Sequence, residues 1–119
     1  MIYEIGMLCK HFKGKRLEDK NIYRIEKLNV EGKDVDKKLI TYTGEGELDK
    51  ATNLVVYANI FQNNKLFVRE YEDMSSELSE EKKKEFHQLL RVQPLSKEEI
   101  EIVNRPEFIK LKNENDNVR

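Results

Sequence analysis

Residues 53–61, Asn-Leu-Val-Val-Tyr-Ala-Asn-Ile-Phe, constrain the fold more than any other stretch of this chain. A nearly unbroken apolar run of this length reads as a strand covered on both faces. Gln62-Asn63-Asn64-Lys65 comes next, then Leu66-Phe67-Val68-Arg69-Glu70-Tyr71. Asparagine tolerates the left-handed backbone that a tight connection needs, so the two apolar runs are predicted to pair as an antiparallel hairpin.

The segments around the hairpin supply its neighbours. Residues 2–12 are apolar and β-prone, broken by Gly6, and Lys13-Gly14-Lys15 reads as a turn. Residues 21–30 alternate, with Ile22, Arg24, Glu26 and Leu28 against Tyr23, Ile25, Lys27 and Asn29, as a strand does. A turn at 31–34, a short strand over 38–43 and an acidic Gly44-Glu45-Gly46-Glu47 loop lead into the hairpin.

After Met74 the pattern changes. Ser79 is placed to cap a helix over 80–90, whose buried stripe would be Phe86, Leu89 and Leu90. Pro94 ends that segment. Ser96-Lys97-Glu98-Glu99 has the form of a capping box, with Leu95 and Ile100 as a hydrophobic staple, so a second helix is predicted from 97 to about 104. Pro106 is expected to stop it. The Asn- and charge-rich end is expected to fray. Strands first and helices last imply a mainly β, α+β chain: a small curled sheet or barrel over 1–74, a helical extension over 75–111 and a flexible tail over 112–119.

Composition narrows the function classes. The chain has 119 residues, enough for one core. Lys+Arg 22 and Asp+Glu 23 nearly cancel, which argues against a general nucleic-acid binder. Cys9 is the sole cysteine, so no internal disulfide forms. With no basic leader and no long apolar run, the expected location is the cytoplasm, away from membranes. The Lys/Asn-rich bias fits a bacterial or phage source.

Three segments, taken in order, resemble the bacterial family called "domain of unknown function 1653". Gly6-Met7-Leu8-Cys9-Lys10-His11-Phe12-Lys13-Gly14 is similar to its Gly-x-x-Tyr-x-His-Phe-Lys-Gly opening, Leu54-Val55-Val56-Tyr57 to its Leu-Val-Val-Tyr strand, and Leu66-Phe67-Val68-Arg69 to its Leu-Trp-Val-Arg strand. The resemblance spans roughly residues 6–74 and implies an SH3-like barrel. The chain departs from the family pattern at Cys9, where the family has Tyr, and at Glu70, where it has Pro. Asp73-Met74 stands for Met-Phe, and Asp49-Lys50-Ala51-Thr52 for a His-Ser-Glu-Thr turn. The resemblance carries fold, not an activity.

The candidate chemistry is sparse. Cys9 and His11 share strand spacing, but a zinc site needs further ligands and His87 is the sole other histidine. His11, Lys13, Lys15 and Arg16 form a locally basic patch, which Arg69 would join if the sheet closes; such groups hold an anion through charge-assisted hydrogen bonds. Tyr42 and Tyr71 are the aromatics expected at an exposed rim. The plainer alternative is a solvated turn with a structural arginine. The leading expectation is therefore a non-catalytic binding module, without cofactor or metal, that recognises a protein segment or a small anionic molecule such as a nucleotide. Single-stranded nucleic-acid binding and a hydrolase acting on a nucleotide-type ligand are the alternatives, and both monomer and homodimer stay open.

Overall fold

The computed structural model describes residues 1–118. Its hairpin consists of strand β4 (Leu54–Asn59) and strand β5 (Lys65–Glu70), in register from Leu54 opposite Glu70 to Asn59 opposite Lys65. Asn63 and Asn64 take left-handed φ values of 53° and 54° in the connection, as the turn chemistry predicts. Asn59 Oδ1 accepts the Phe61 N–H at 3.1 Å and holds the chain as it leaves β4. Every residue of β4 is buried, so the continuous apolar run does mark a strand covered on both faces.

Around this hairpin lie β1 (Leu8–His11), β2 (Ile22–Val30), β3 (Ile40–Tyr42) and β6 (Val92–Pro94). The sheet order is β3-β5-β4-β2-β1-β6; β3 runs parallel to β5 and the other pairs are antiparallel. Four helices, α1 (Tyr71–Met74), α2 (Glu80–Phe86), α3 (Lys97–Val103) and α4 (Pro106–Val118), complete the described α+β domain. The sheet is six-stranded, mixed and open: β3 and β6 are its edges, so no strand pairing closes it into the expected barrel.

The expected division at residue 74 is not where the sheet ends. Val92, Gln93 and Pro94 pair with His11, Lys10 and Cys9, which makes β6 part of the same sheet. Proline has no N–H to give a ladder, and here it sits on an edge strand, where that loss is tolerated. The chain between β5 and β6 is pinned back on itself by Arg91 N–H to Ser76 O and Leu78 N–H to Leu89 O, both 2.9 Å.

The helices differ from expectation in instructive ways. Ser79 caps α2, its Oγ accepting the Lys82 N–H, but the helix stops at Phe86. His87 terminates it in a left-handed conformation, φ 53°, where glycine is the usual residue. Of the expected stripe, Phe86 lies edge-on to Phe12 at 5.3 Å, while Leu89 is exposed. The capping box of α3 forms: Ser96 Oγ accepts the Glu99 N–H and Glu99 Oε1 accepts the Ser96 N–H. Leu95 is buried, whereas its predicted staple partner Ile100 is exposed. Pro106 opens α4 instead of ending a helix, since proline at the first helical position loses no hydrogen bond. The expected flexible tail is the second half of α4, with Lys112 fully buried and its Nζ 3.0 Å from Asp116; Arg119 lies outside the described residues.

The apolar side chains divide between the two sheet faces. Cys9, Tyr23, Ile25, Val55 and Tyr57 pack with Tyr3, Met74 and Val92. On the other side, Ile22 packs with Leu95, Val103 and Phe108 of the α3–α4 layer, and Leu54, Val56 and Val68 pack with Val35. Glu99 locks the helical layer to the sheet: its Oε2 lies 2.6 Å from Nζ of buried Lys10 on β1.

Glu99→Ala removes both a cap and the partner of a buried cation, and should cost about 2–3 kcal/mol in chemical denaturation, against ~1 kcal/mol for Ser96→Ala. His87→Gly relieves the left-handed position and should stabilise the fold by about 1 kcal/mol, read as a raised Tm.

Candidate functional site

Strand alternation and register bring four side chains from four strands to one face of the sheet: His11, Tyr23, Tyr57 and Arg69. The aromatic rings run across it in sequence. His11 and Tyr23 lie 6.5 Å apart edge-to-face, Tyr23 and Tyr57 4.6 Å apart, and Tyr57 stacks on Phe67 at 5.7 Å. Tyr23 and Tyr57 are buried, and burial pushes both phenols up, so they stay protonated.

Beside this aromatic row stand two arginines that share one carboxylate. Arg69 Nε donates to Asp73 Oδ2, four residues on, where the first turn of α1 folds back towards the strand. Arg91 Nη1 donates to Asp73 Oδ1 at 3.2 Å, because the backbone bond to Ser76 carries Arg91 across to α1. Two positive charges thus meet one negative charge. Each guanidinium keeps N–H groups beyond those used on Asp73. The Arg91 guanidinium also lies 5.6 Å from the Phe12 ring centroid, over its face.

Arg69, Asp73 and Arg91 line a cleft of about 410 Å³ together with Thr43, Glu45 and Glu70. Tyr42 bonds to two of these lining residues. The phenol lies 3.2 Å from Glu70 Oε1 and 2.9 Å from the Glu45 carbonyl oxygen, and desolvation followed by the Glu70 contact raises its pKa. Thr43 Oγ1 donates to Val68 O and lies 3.4 Å from Tyr57 Oη. A wider groove of about 620 Å³ follows β3 past Lys37, Leu39 and Lys65, where Lys37 is paired with Asp49. It lacks the convergence of opposed charges that marks the smaller cleft.

The residues nominated from sequence divide between this site and the rest of the surface. His11 is half-buried, and its Nδ1 accepts the Lys13 N–H at 3.3 Å. Burial, then the positive charges of Lys13, Arg69, Arg91 and Lys20, press its pKa down to about 4, which leaves a neutral imidazole at pH 7. Arg69 is in the cleft and Tyr42 at its rim. Arg16 is turned to its own neighbours, Nε to Asp19 at 3.0 Å and Nη1 to Glu18 at 3.3 Å, and Lys13 and Lys15 are exposed on the same loop. Tyr71 is half-buried, not a free rim residue: it packs edge-on against Tyr3, and its oxygen accepts the Ile2 N–H. Tyr42 is likewise half-buried.

Asp73, Arg91, Thr43, Glu45 and Glu70 were not singled out from sequence. Asp73 carried a local signal, its i,i+4 spacing from Arg69. Arg91 carried none, because only the fold brings it near. Two buried groups bound what chemistry is available. Cys9 is fully buried and its thiol is pushed up to about 12, which keeps it out of the thiolate form. Lys20 is buried, with Nζ donating to Phe12 O at 2.7 Å and Phe86 O at 3.1 Å, and desolvation lowers it to about 8. It ties the Phe12 loop to the end of α2. Among the described residues no three His, Cys, Asp or Glu side chains converge to hold a metal ion, and no helix is long and apolar enough to cross a membrane.

Comparisons with protein-family models, curated proteins and solved structures give no match. The segments 6–14, 54–57 and 66–69 fall on β1, β4 and β5 with the flanking turns of β1, and they contribute His11, Tyr57 and Arg69 to the site face.

An NMR titration should find the His11 ring changing protonation near pH 4. The unfolded chain binds this proton at about pH 6.5 and the native state does not, so stability should fall as pH drops from 6.5 to 4, by up to ~1.4 kcal/mol per pH unit in that window. A His11 titration at the ordinary value would remove it from the cationic surroundings described here.

Proposed function

We propose that this protein is a non-catalytic binding module that holds a small ligand by its anionic group, at the cleft between Arg69 and Arg91. The observation that carries this reading is the pair of guanidiniums anchored on a single carboxylate. Asp73 fixes both forks in place before any ligand arrives, so little side-chain entropy is lost on binding. One positive charge remains uncompensated by Asp73, and the free N–H groups suit a carboxylate or phosphate. Neutral His11, whose Nδ1 accepts the Lys13 N–H, keeps an Nε2–H donor on the same sheet face.

The reading refines the sequence expectation in two respects. Arg16 is spent on Asp19 and Glu18, so Arg91 takes the role first given to the 11–16 loop. Tyr23 and Tyr57 are covered and offer no open ring for a base to stack on. The volume of about 410 Å³ lies at the lower end of ligand sites, which favours a compact molecule over a nucleic-acid strand or a long peptide. A free, buried thiol suits a reducing compartment, so a cytoplasmic setting belongs to the same proposal.

Titration with inorganic phosphate, acetate and AMP, followed by backbone amide shifts, should move Thr43, Arg69, Asp73 and Arg91 together. Arg69→Gln and Arg91→Gln should each weaken binding at least about tenfold, the loss of a charge-assisted contact, while Tm moves by only a few degrees. Shifts scattered over the surface, or binding indifferent to both substitutions, would refute the assignment.

A further inference from the structure

The charge pattern of the cleft says more about its ligand than that it carries an anion. Three carboxylates, Glu45, Glu70 and Asp73, face two guanidiniums, so the lining as a whole is net negative. Asp73 is already committed to both arginines. What remains for a ligand is one uncompensated positive charge on the arginine pair and the two carboxylates of Glu45 and Glu70.

The two sets of charge have different partners: both arginines pair with Asp73, whereas the Glu70 carboxylate meets the Tyr42 hydroxyl. Tyr42, on edge strand β3, donates to the Glu70 carboxylate and to the Glu45 backbone carbonyl, which holds the Glu70 side chain and the Glu45 backbone at the β3 side of the cleft that both residues line. The cationic side adjoins β1 and the start of β6, where Lys13, Lys20, Arg69 and Arg91 all act on His11. A simple anion such as phosphate would be attracted by the arginine pair and repelled by the two carboxylates, whereas a simple cation would meet the reverse. The complement of this lining is a molecule with one anionic and two cationic groups.

We infer that the cleft takes a free basic amino acid, its carboxylate on Arg69 and Arg91 and its ammonium and side-chain cation towards Glu70 and Glu45. This rests on the binding role proposed above and specifies the class of ligand. Arginine and lysine have the required charges, and their size suits a cleft of about 410 Å³. Oppositely charged groups on one lining discriminate against analogues that lack one partner, because the group facing the missing partner is left unpaired.

The test is calorimetry and amide-shift mapping of the full chain at pH 7 with four probes: L-arginine, argininamide (no carboxylate), citrulline (no side-chain cation) and inorganic phosphate. L-arginine should bind at least tenfold tighter than each of the other three. Glu70→Gln, which retains an acceptor for Tyr42, and Arg91→Gln should each reduce arginine affinity at least tenfold, with an unchanged fold by circular dichroism. Phosphate binding as tightly as arginine and untouched by Glu70→Gln would overturn this inference and leave the anion-binding role standing. Argininamide matching arginine, with Arg91→Gln silent, would overturn both, as would no shift in the cleft with any probe.

Discussion

A strand that is apolar on both faces has to be covered from above and below, and β4 imposes that demand on everything around it. In the plane of the sheet it is flanked by β2 and β5. On one side Leu54 and Val56 pack with Val35, while next to them helices α3 and α4 cover Ile22 of β2 and are tied down where Glu99 meets Lys10. On the other side the cover comes from less regular pieces: Tyr3 from the N-terminal segment, Met74 from α1, and Val92 from β6. The Tyr3 hydroxyl donates to the Val92 carbonyl at 2.6 Å, so two of those pieces are also bonded to each other.

The cleft is a by-product of that second, irregular cover. Helix α1 is laid over the β4 face to bury Met74, and Asp73, one residue earlier, is thereby placed within reach of Arg69 below and Arg91 alongside. The same carboxylate holds a structural junction and orients two guanidiniums. An ion triad of this kind contributes modestly to stability at partial exposure. Its larger effect is geometric, since it fixes donors that would otherwise sample many rotamers. The neutral state of His11 follows first from its burial and then from the same crowding of positive charge.

The parts legible in the sequence were those whose causes are local. The 53–71 hairpin was readable because an apolar run and two adjacent asparagines each act within a few residues, and the capping box at Ser96 for the same reason. Strand β6 was not, because Val92-Gln93-Pro94 has no pattern of its own and becomes a strand only against β1. Pro106 was misread because proline both ends and begins helices, and the apolar residue that decides between them, Phe108, packs on Ile22 and Phe61 from distant segments. Closure of the sheet was inferred from strand count and resemblance, neither of which fixes the edge strands. At the site, His11 and Arg69 stood out by type and strand position. Arg16 stood out too, yet Asp19 sits three residues away and takes its charge. Arg91 joined the site through a chain crossing that no short-range rule encodes.

The pairing of His11 with Val92 has a consequence for how this chain is made. The chain must be made as far as Pro94 before the first strand finds its outer neighbour, so until then β1 has one row of amide groups unsatisfied. Until then Cys9 and Ile22 lack part of their cover, and Arg91 has not reached Asp73. Nascent forms stopping short of residue 94 can contain the hairpin but not the assembled cleft. The cleft therefore forms only in a chain that extends through Arg91 and strand β6.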